Sequence, residues 1–414
     1  MSLQISERGR RMPASPIRKL MPLADEARRQ GARVLGLNIG QPDLETPVVM
    51  RARLQSAPSV FAYTPSAGTK EYLATLAGYY RRQGIELRPD EIIATTGGSE
   101  AILFAMMACA GEGDEALVVE PFYTNYAAFA TMAGVRLVPL RTRGDNGFHL
   151  PAIPEWTRAL TPRTRLVLLC NPNNPTGAVY HREELEAILE LCRANGLFLV
   201  VDEVYREFVY DGRAATSLLQ LPGSEEVGIV VDSLSKRYSA CGIRLGCLVT
   251  RNREVQGAAL RMAQARLSPP GLAQLVALGA AELPPEYAEG VVREYQARRD
   301  ILFEGLRHLP GVSLHKPEGA FYFVVRLPVD DSEDFAAWLL RDFRLDGATV
   351  LVAPATGFYA TPGLGRDEVR IAYVLEEQSL STAVRILERA LPAYREARGL
   401  GPMVTAAGAE AKAR

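Results

Sequence analysis

LVLLCNPNNPTGAVYHREELEAILELCRANGLFLVVDE, residues 166–203, holds a strand, a stop, a helix and a second strand in one run. Residues 166–170 (LVLLC) are apolar and of strand length. NPNNPTG at 171–177 ends them, since its two prolines have no N–H to donate and its glycine lets the backbone turn. EELEAILELCRAN then sets Leu185, Ile188, Leu189 and Cys192 on one side of a helix, which stops at the cap Asn195-Gly196. LFLVV at 197–201 is apolar at every position, and Asp202 and Glu203 stand at its carboxyl end. Strand, crossover helix and strand make a parallel α/β unit. GIVVD at 228–232 repeats the pattern and delivers Ser233 and Lys236 into the loop beyond it.

From about residue 90 to 250 the same alternation persists, so the expected body is a three-layer α/β/α domain with a mostly parallel sheet. Ligands of such sheets gather at the carboxyl ends of strands, and three of those ends here present Asn174, Asp202 and Lys236. Helix-rich segments at both chain ends are expected to form a smaller α+β domain. The division this predicts is 1–50 and 291–400 for the small domain, 51–290 for the large one, and a loosely packed tail at 401–414. No internal repeat is found.

At 414 residues the chain exceeds what one core usually serves, and two domains imply a cleft. With 48% hydrophobic and 23% charged residues and a net charge of -1, it has the composition of a globular protein; charge calls for neither nucleic acid nor an anionic membrane. Its apolar runs are strand-length, too short to span a bilayer. The opening MSLQISERGRRMPASPIRKL lacks the apolar stretch of a secretory signal. Cys109, Cys170, Cys192, Cys241 and Cys247 form no CxxC pair, so reduced, buried thiols in the cytoplasm are expected, with no metal site.

Lys236 is the first chemical candidate. The chain has five lysines among 47 basic residues, so a lysine at a strand end is informative: its amine can form a Schiff base, which a guanidinium cannot. The surrounding SLSKRYSACGIRLG adds the hydroxyls of Ser233 and Ser235 and the cation of Arg244, a set suited to a phosphate. Asp202 ends a strand too apolar to tolerate a stray carboxylate; a protonated ring nitrogen or a structural arginine would pair with it. Tyr205 reaches the same side as a hydroxyl donor, or packs in the core. TTGGSEAILFAMM supplies a helix amino terminus with Ser99 and Glu100 in its first turn, either an anion site or a plain capping turn. Tyr123, in EPFYTNY, offers a face to stack on a ring.

NIGQPD near the start, YTPSAG at Tyr63, GGSEA at Gly97, PFY at Pro121, NPNNPTG at Asn171, DEVY at Asp202, SLSKRYSACGIRLG at Ser233 and VRIAYV at Val369 occur in one order and spacing. By these motifs the chain resembles, over essentially its full length, the fold type I pyridoxal-phosphate-dependent aminotransferases of class I/II, in particular aspartate aminotransferases. The resemblance implies that Lys236 binds pyridoxal 5'-phosphate as a Schiff base and then moves the substrate's Cα proton in a ping-pong transamination. It implies that Asp202 pairs with the pyridine nitrogen, that Tyr205 and Asn174 bond the phenolic oxygen, and that Tyr123 stacks on the ring. The phosphate falls to the turn at Gly98, Ser99 and Glu100 with Ser233, Ser235 and Arg244, and to Tyr63 from the partner of a homodimer with shared sites. Arg370 grips the substrate α-carboxylate, and the backbone of Gly40 lines the same pocket.

One departure stands out: the arginine that aspartate-specific members use for the distal carboxylate does not align here. Arg266 in QARLSPPG lies near the right region and is the candidate substrate contact, which favours aspartate or glutamate as donor with 2-oxoglutarate as acceptor. Two rivals carry discriminating tests. A C–S β-lyase on the same fold would release pyruvate from cysteine-type substrates. A ligand-sensing regulator would need a DNA-binding module, for which residues 1–35 are too short.

Overall fold

The computed structural model describes residues 3–401. Seven strands form its main sheet, in the spatial order Ile92–Thr95, Gly246–Thr250, Gly228–Ser233, Phe198–Asp202, Thr164–Cys170, Glu115–Glu120 and Arg136–Arg141. Gly246–Thr250 runs antiparallel to both its neighbours, and the other pairings are parallel. An antiparallel neighbour needs no crossover helix. The chain therefore turns straight back after Ser233, and this return folds Lys236 and Arg244 over the strand ends.

Side chains alternate across the sheet with period two. Leu117, Val119, Val167, Leu169, Leu199, Val201, Val230 and Val249 enter one core, whereas Ala116, Val118, Leu166, Leu168, Val200, Ile229, Val231 and Leu248 enter the other. Both faces are covered by helices, which is why these strands read as unbroken apolar runs. The helix Arg182–Asn195 buries Leu185, Ile188, Leu189 and Cys192 on the first face. It starts with Glu184 accepting the His181 N–H at 2.7 Å and ends at Gly196 with φ +65°, as its sequence signals require. Glu184 also accepts from His149 Nδ1 at 2.9 Å, and the His149 and His181 rings stack beside it.

The second core continues into Phe321, Phe335, Leu387 and Tyr394 of the smaller α+β portion. There Ala353–Pro354, Glu368–Ala372, Tyr322–Arg326 and Ser313–Leu314 form an antiparallel sheet. Arg33–Gly36 pairs in parallel with Ala348–Leu351, so the two ends of the chain meet. The tail expected to pack loosely, 401–414, lies outside the described residues except for Gly401. Cys109, Cys170, Cys192 and Cys247 are free and buried, and Cys241 is free and half-buried. Among the described residues no helix is long and apolar enough to cross a membrane.

Candidate active site

The carboxyl ends of the central strands open on a cavity of about 640 Å³ between the large sheet and the small portion. Asn174, Asp202 and Lys236, read from three separate strand ends, all line it. Lys236 sits in the short helix Leu234–Arg237 and donates from Nζ to the Gly40 carbonyl at 2.8 Å, with Cys241 Sγ at 3.8 Å. Burial pushes its pKa down, and Arg370 and Arg244 act in the same direction against the thiol of Cys241. The amine thus gives up its proton more readily than a surface lysine, as a nucleophile or base must.

Asp202 is buried at the end of its strand, where Tyr126 Oη donates to Oδ2 at 2.8 Å and the Val204 N–H to Oδ1 at 3.2 Å. Burial raises its pKa to about 6, against those hydrogen bonds. Among the described residues no cation pairs with it. The alternative of a structural salt bridge is therefore excluded within them, and a carboxylate at this cost needs a cation from elsewhere.

A buried charge network lies directly behind the site, in positions adjacent in sequence to those that face it. Asp232 pairs with Arg237 and, at 3.3 Å, with Arg206, whose other arm meets Glu203 at 2.6 Å. Glu203 also accepts from Ser217 Oγ and the Leu218 N–H at 2.9 and 2.8 Å. The residues next to Asp202, Tyr205 and Lys236 are thus tied together, which fixes where those three point. Sequence reasoning missed Asp232, Arg206, Arg237 and Tyr126; the signal available was charge at the ends of otherwise apolar strands.

Arg370 is 1% exposed and comes from the middle of Glu368–Ala372. Nη1 donates to Asn174 Oδ1 at 3.0 Å and Nη2 to the Asn38 carbonyl, while Nε has no partner among the described residues. Its guanidinium lies over the Tyr322 ring at 4.4 Å and the Phe358 ring at 4.9 Å. Burial lowers its pKa, and no carboxylate neutralises it among the described residues. Tyr322 was also missed. Its hydroxyl bonds that of Tyr205 at 2.7 Å, and it fills the space where any Cβ at Gly40 would stand.

At the opposite wall the helix Gly97–Cys109 presents its amino terminus to the cavity through Gly98 and Ser99. Gly97 has φ +73°, and a Cβ there would lie 2.6 Å from Arg244 Nη2, so only glycine lets the guanidinium this close to the helix start. Ser233 Oγ accepts the Ser235 N–H at 3.1 Å and meets Ser235 Oγ at 2.8 Å. Backbone donors, two hydroxyls and Arg244 converge where an anion would be held. Tyr123 lines the cavity beside them, edge-on to Tyr126 at 5.5 Å.

Three expected contacts stand elsewhere. Arg266 is not in this cavity: Nη1 pairs with Glu100 Oε2 at 3.1 Å, and Nη2 donates to the Ser66 and Ala94 carbonyls at 3.0 and 3.3 Å. It is a structural cation that clasps the first turn of the helix, which corrects its reading as a substrate contact. Glu100 is likewise withdrawn from cofactor binding, because its carboxylate accepts the Thr96 N–H at 2.8 Å and holds Arg266. Tyr63 is 81% exposed and lies outside the cavity of its own chain.

A sequence model of the family described as aminotransferase class I and II matches residues 32–387. The aspartate/prephenate aminotransferase of Thermus thermophilus is 34% identical over 396 residues, covering 94% of this chain and 98% of that protein. Among solved structures, the aspartate aminotransferase from Thermus thermophilus with maleate aligns with a TM-score of 0.84 at 32% identity, over 94% of this chain and 100% of that one. The alanine aminotransferase from Pyrococcus furiosus aligns at 0.85 and 29% identity, over 94% and 99%.

Proposed function

Since the chain belongs to the class I and II aminotransferases and is a transaminase, we propose that it uses pyridoxal 5'-phosphate to move an amino group between a dicarboxylic amino acid and a 2-oxo acid such as 2-oxoglutarate. The observation that carries this reading is that the half-buried amine of Lys236, the unpaired carboxylate of Asp202 and the buried guanidinium of Arg370 share one cavity. Each lacks what the cofactor or substrate brings: a carbonyl carbon, a protonated ring nitrogen and a carboxylate. The fit extends to the phosphate, for which Gly98, Ser99, Ser233, Ser235 and Arg244 supply donors. Asn174 and Tyr205 are the partners for the phenolic oxygen, and Tyr123 is the ring's aromatic neighbour.

When bound, pyridoxal phosphate supplies a carbonyl carbon that condenses with amines and a ring that takes up the electron pair left as the substrate's Cα proton departs. Asp202 holds the ring nitrogen protonated. Arg370 orients the donor by its α-carboxylate, using the unpartnered Nε and the edge of the guanidinium that Asn174 and Asn38 leave free. Lys236 Nζ would take the donor's Cα proton and deliver it to the cofactor's former carbonyl carbon; its lowered pKa suits both steps. The nearby aromatic side chains restrict water around this transfer.

Homodimeric sites shared through Tyr63 belong to the same proposal. Val60, Phe61, Tyr63, Leu267 and Leu272 are exposed apolar residues of two segments that Ser66 Oγ joins by donating to the Leu267 carbonyl at 2.6 Å. Such a surface supports burial against a second subunit. The proposed domain division stays at 1–50 with 291–400, and 51–290; the free thiols suit the cytoplasm. A donor panel with 2-oxoglutarate as acceptor tests the function. Aspartate and glutamate are expected to lead alanine, phenylalanine and leucine in kcat/KM, and preferred turnover of a neutral donor would reject the acidic class. Pyruvate formed from cysteine-type substrates without an acceptor would favour elimination instead.

A further inference from the structure

Outside the catalytic cavity, the loop at 147–150, the start of the helix Arg182–Asn195 and the segment 315–319 of the small portion bring three of the chain's four histidines together. His149, His181 and Glu184 each offer one ligand atom, and those atoms lie within 4.8 Å of one another. His315 joins from the small portion, where its Nε2 would stand 2.8 Å from a Cβ at Gly147. The cysteines hold no metal motif, and local spacing could not show this set either, because only the fold joins residues so far apart in sequence.

Backbone donors fix Glu184 in place. The Leu150 N–H donates to its Oε1 at 2.8 Å and the His181 N–H to its Oε2 at 2.7 Å, and Oε2 also lies 2.9 Å from His149 Nδ1. On the other side of the same imidazole, Nε2 faces Glu318 Oε2 at 3.9 Å, beyond hydrogen-bond reach. That oxygen is buried and has no partner among the described residues, while Glu318 Oε1 is taken by Arg213. One imidazole thus stands between two carboxylates, the first held by backbone and the second short of a donor. A divalent ion on Nδ1 would meet Glu184 directly and leave the ring proton on Nε2, toward the unpartnered oxygen of Glu318. This is how a carboxylate orients a metal-bound histidine. His181 supplies the third ligand: its ring stacks on that of His149 at 4.7 Å and is exposed, so it can turn a nitrogen to the same ion. Two ligands of one tetrahedral zinc ion lie about 3.3 Å apart, within the span of 2.9 to 4.8 Å found here.

We propose that His149, His181 and Glu184 bind one divalent transition-metal ion of the zinc class, with Glu318 holding His149 from behind. Two imidazoles and a carboxylate suit zinc or nickel, whereas magnesium and calcium require oxygen ligands throughout. The ion's role is structural. The Glu318 and Gly319 N–H groups donate to the Gly177 carbonyl at 3.0 and 2.8 Å, so the reach of the ion through Glu318 ends on the NPNNPTG turn that carries Asn174. It pins the small portion to that turn and to the helix that follows.

The test titrates untagged holoenzyme with Zn2+, and in parallel with Mg2+, by calorimetry and by thermal melting. Wild type should take up one Zn2+ per chain at roughly micromolar concentration and melt at a higher temperature with it, and Mg2+ should do neither. His181→Gln and Glu184→Gln, which each remove a ligand, should weaken Zn2+ binding by roughly 100-fold or more and abolish the rise in melting temperature. Glu318→Gln leaves all three ligands and should weaken binding by roughly 10- to 100-fold. His308→Gln is the control: His308 lies 4.0 Å from Glu304 on another helix, and its loss should change nothing. Zn2+ uptake that survives His181→Gln, Mg2+ binding as tight as Zn2+, or a wild-type melt indifferent to Zn2+ would overturn the assignment. His181 is exposed, so an unchanged melting temperature of the metal-free variant separates lost binding from misfolding.

Discussion

Asp202→Asn should make the cofactor-free protein more stable at neutral pH while destroying its activity. In the folded chain the Asp202 carboxyl is raised to about 6 from the ordinary 3.8, chiefly by burial. An acid whose folded pKa exceeds its unfolded one binds its proton more tightly when folded. Stability is therefore unaffected by this group below about pH 4, falls as pH rises through 4 to 6, and stays low above that. The difference between 6 and 3.8 corresponds to about 3 kcal/mol at pH 7 and above. Asparagine keeps its one oxygen for the Val204 N–H, turns its amide NH2 to the Tyr126 hydroxyl, which can accept it, and carries no charge, so most of that penalty is relieved.

The assay is urea unfolding of cofactor-free wild type and Asp202→Asn at pH 4.5, 6 and 8. Taking the difference between the two proteins at each pH cancels the other titrating groups. The variant's advantage should grow from about 1 kcal/mol at pH 4.5 to about 3 kcal/mol at pH 8. With pyridoxal phosphate bound the order should reverse, because only the wild-type carboxylate meets the ring's proton. A variant less stable than wild type at pH 8, or an advantage that does not depend on pH, would refute the claim that Asp202 is held unpaired for a cationic ligand.

Lys236→Ala should abolish trapping of pyridoxal phosphate by borohydride, and in wild type the reduced label should map to Lys236; a label on Lys70 or Lys316 contradicts the site. Mixing a Tyr63 variant with Lys236→Ala should restore part of the activity through hybrid dimers, and no recovery after demonstrated subunit exchange counts against shared sites. Arg266→Ala strands the half-buried Glu100 and two carbonyls. It should lower stability by roughly 1–3 kcal/mol and reduce aspartate and alanine turnover by similar factors, measured by melts and by kcat/KM for both donors; selective loss for aspartate would restore it as a substrate contact.

What could be read in advance follows from how each feature is encoded. The parallel strands buried on both faces leave unbroken apolar runs such as 166–170 and 197–201, and the polar residue ending each run is visible because the run is apolar. That is why Asp202 and Lys236 could be named from sequence. Tyr322 and Asn38 could not: Tyr322 lines the cavity and Asn38 holds Arg370 from the small portion, whose strands Arg33–Gly36 and Tyr322–Arg326 meet distant segments of the chain, and local pattern carries no long-range pairing. Arg266 failed for a related reason. A guanidinium beside the expected region is equally suited to a substrate carboxylate and to Glu100, and only three-dimensional proximity decides between them. A structural arginine is marked by the carboxylate or carbonyls it satisfies, as Arg206, Arg237, Arg266, Arg298 and Arg299 are.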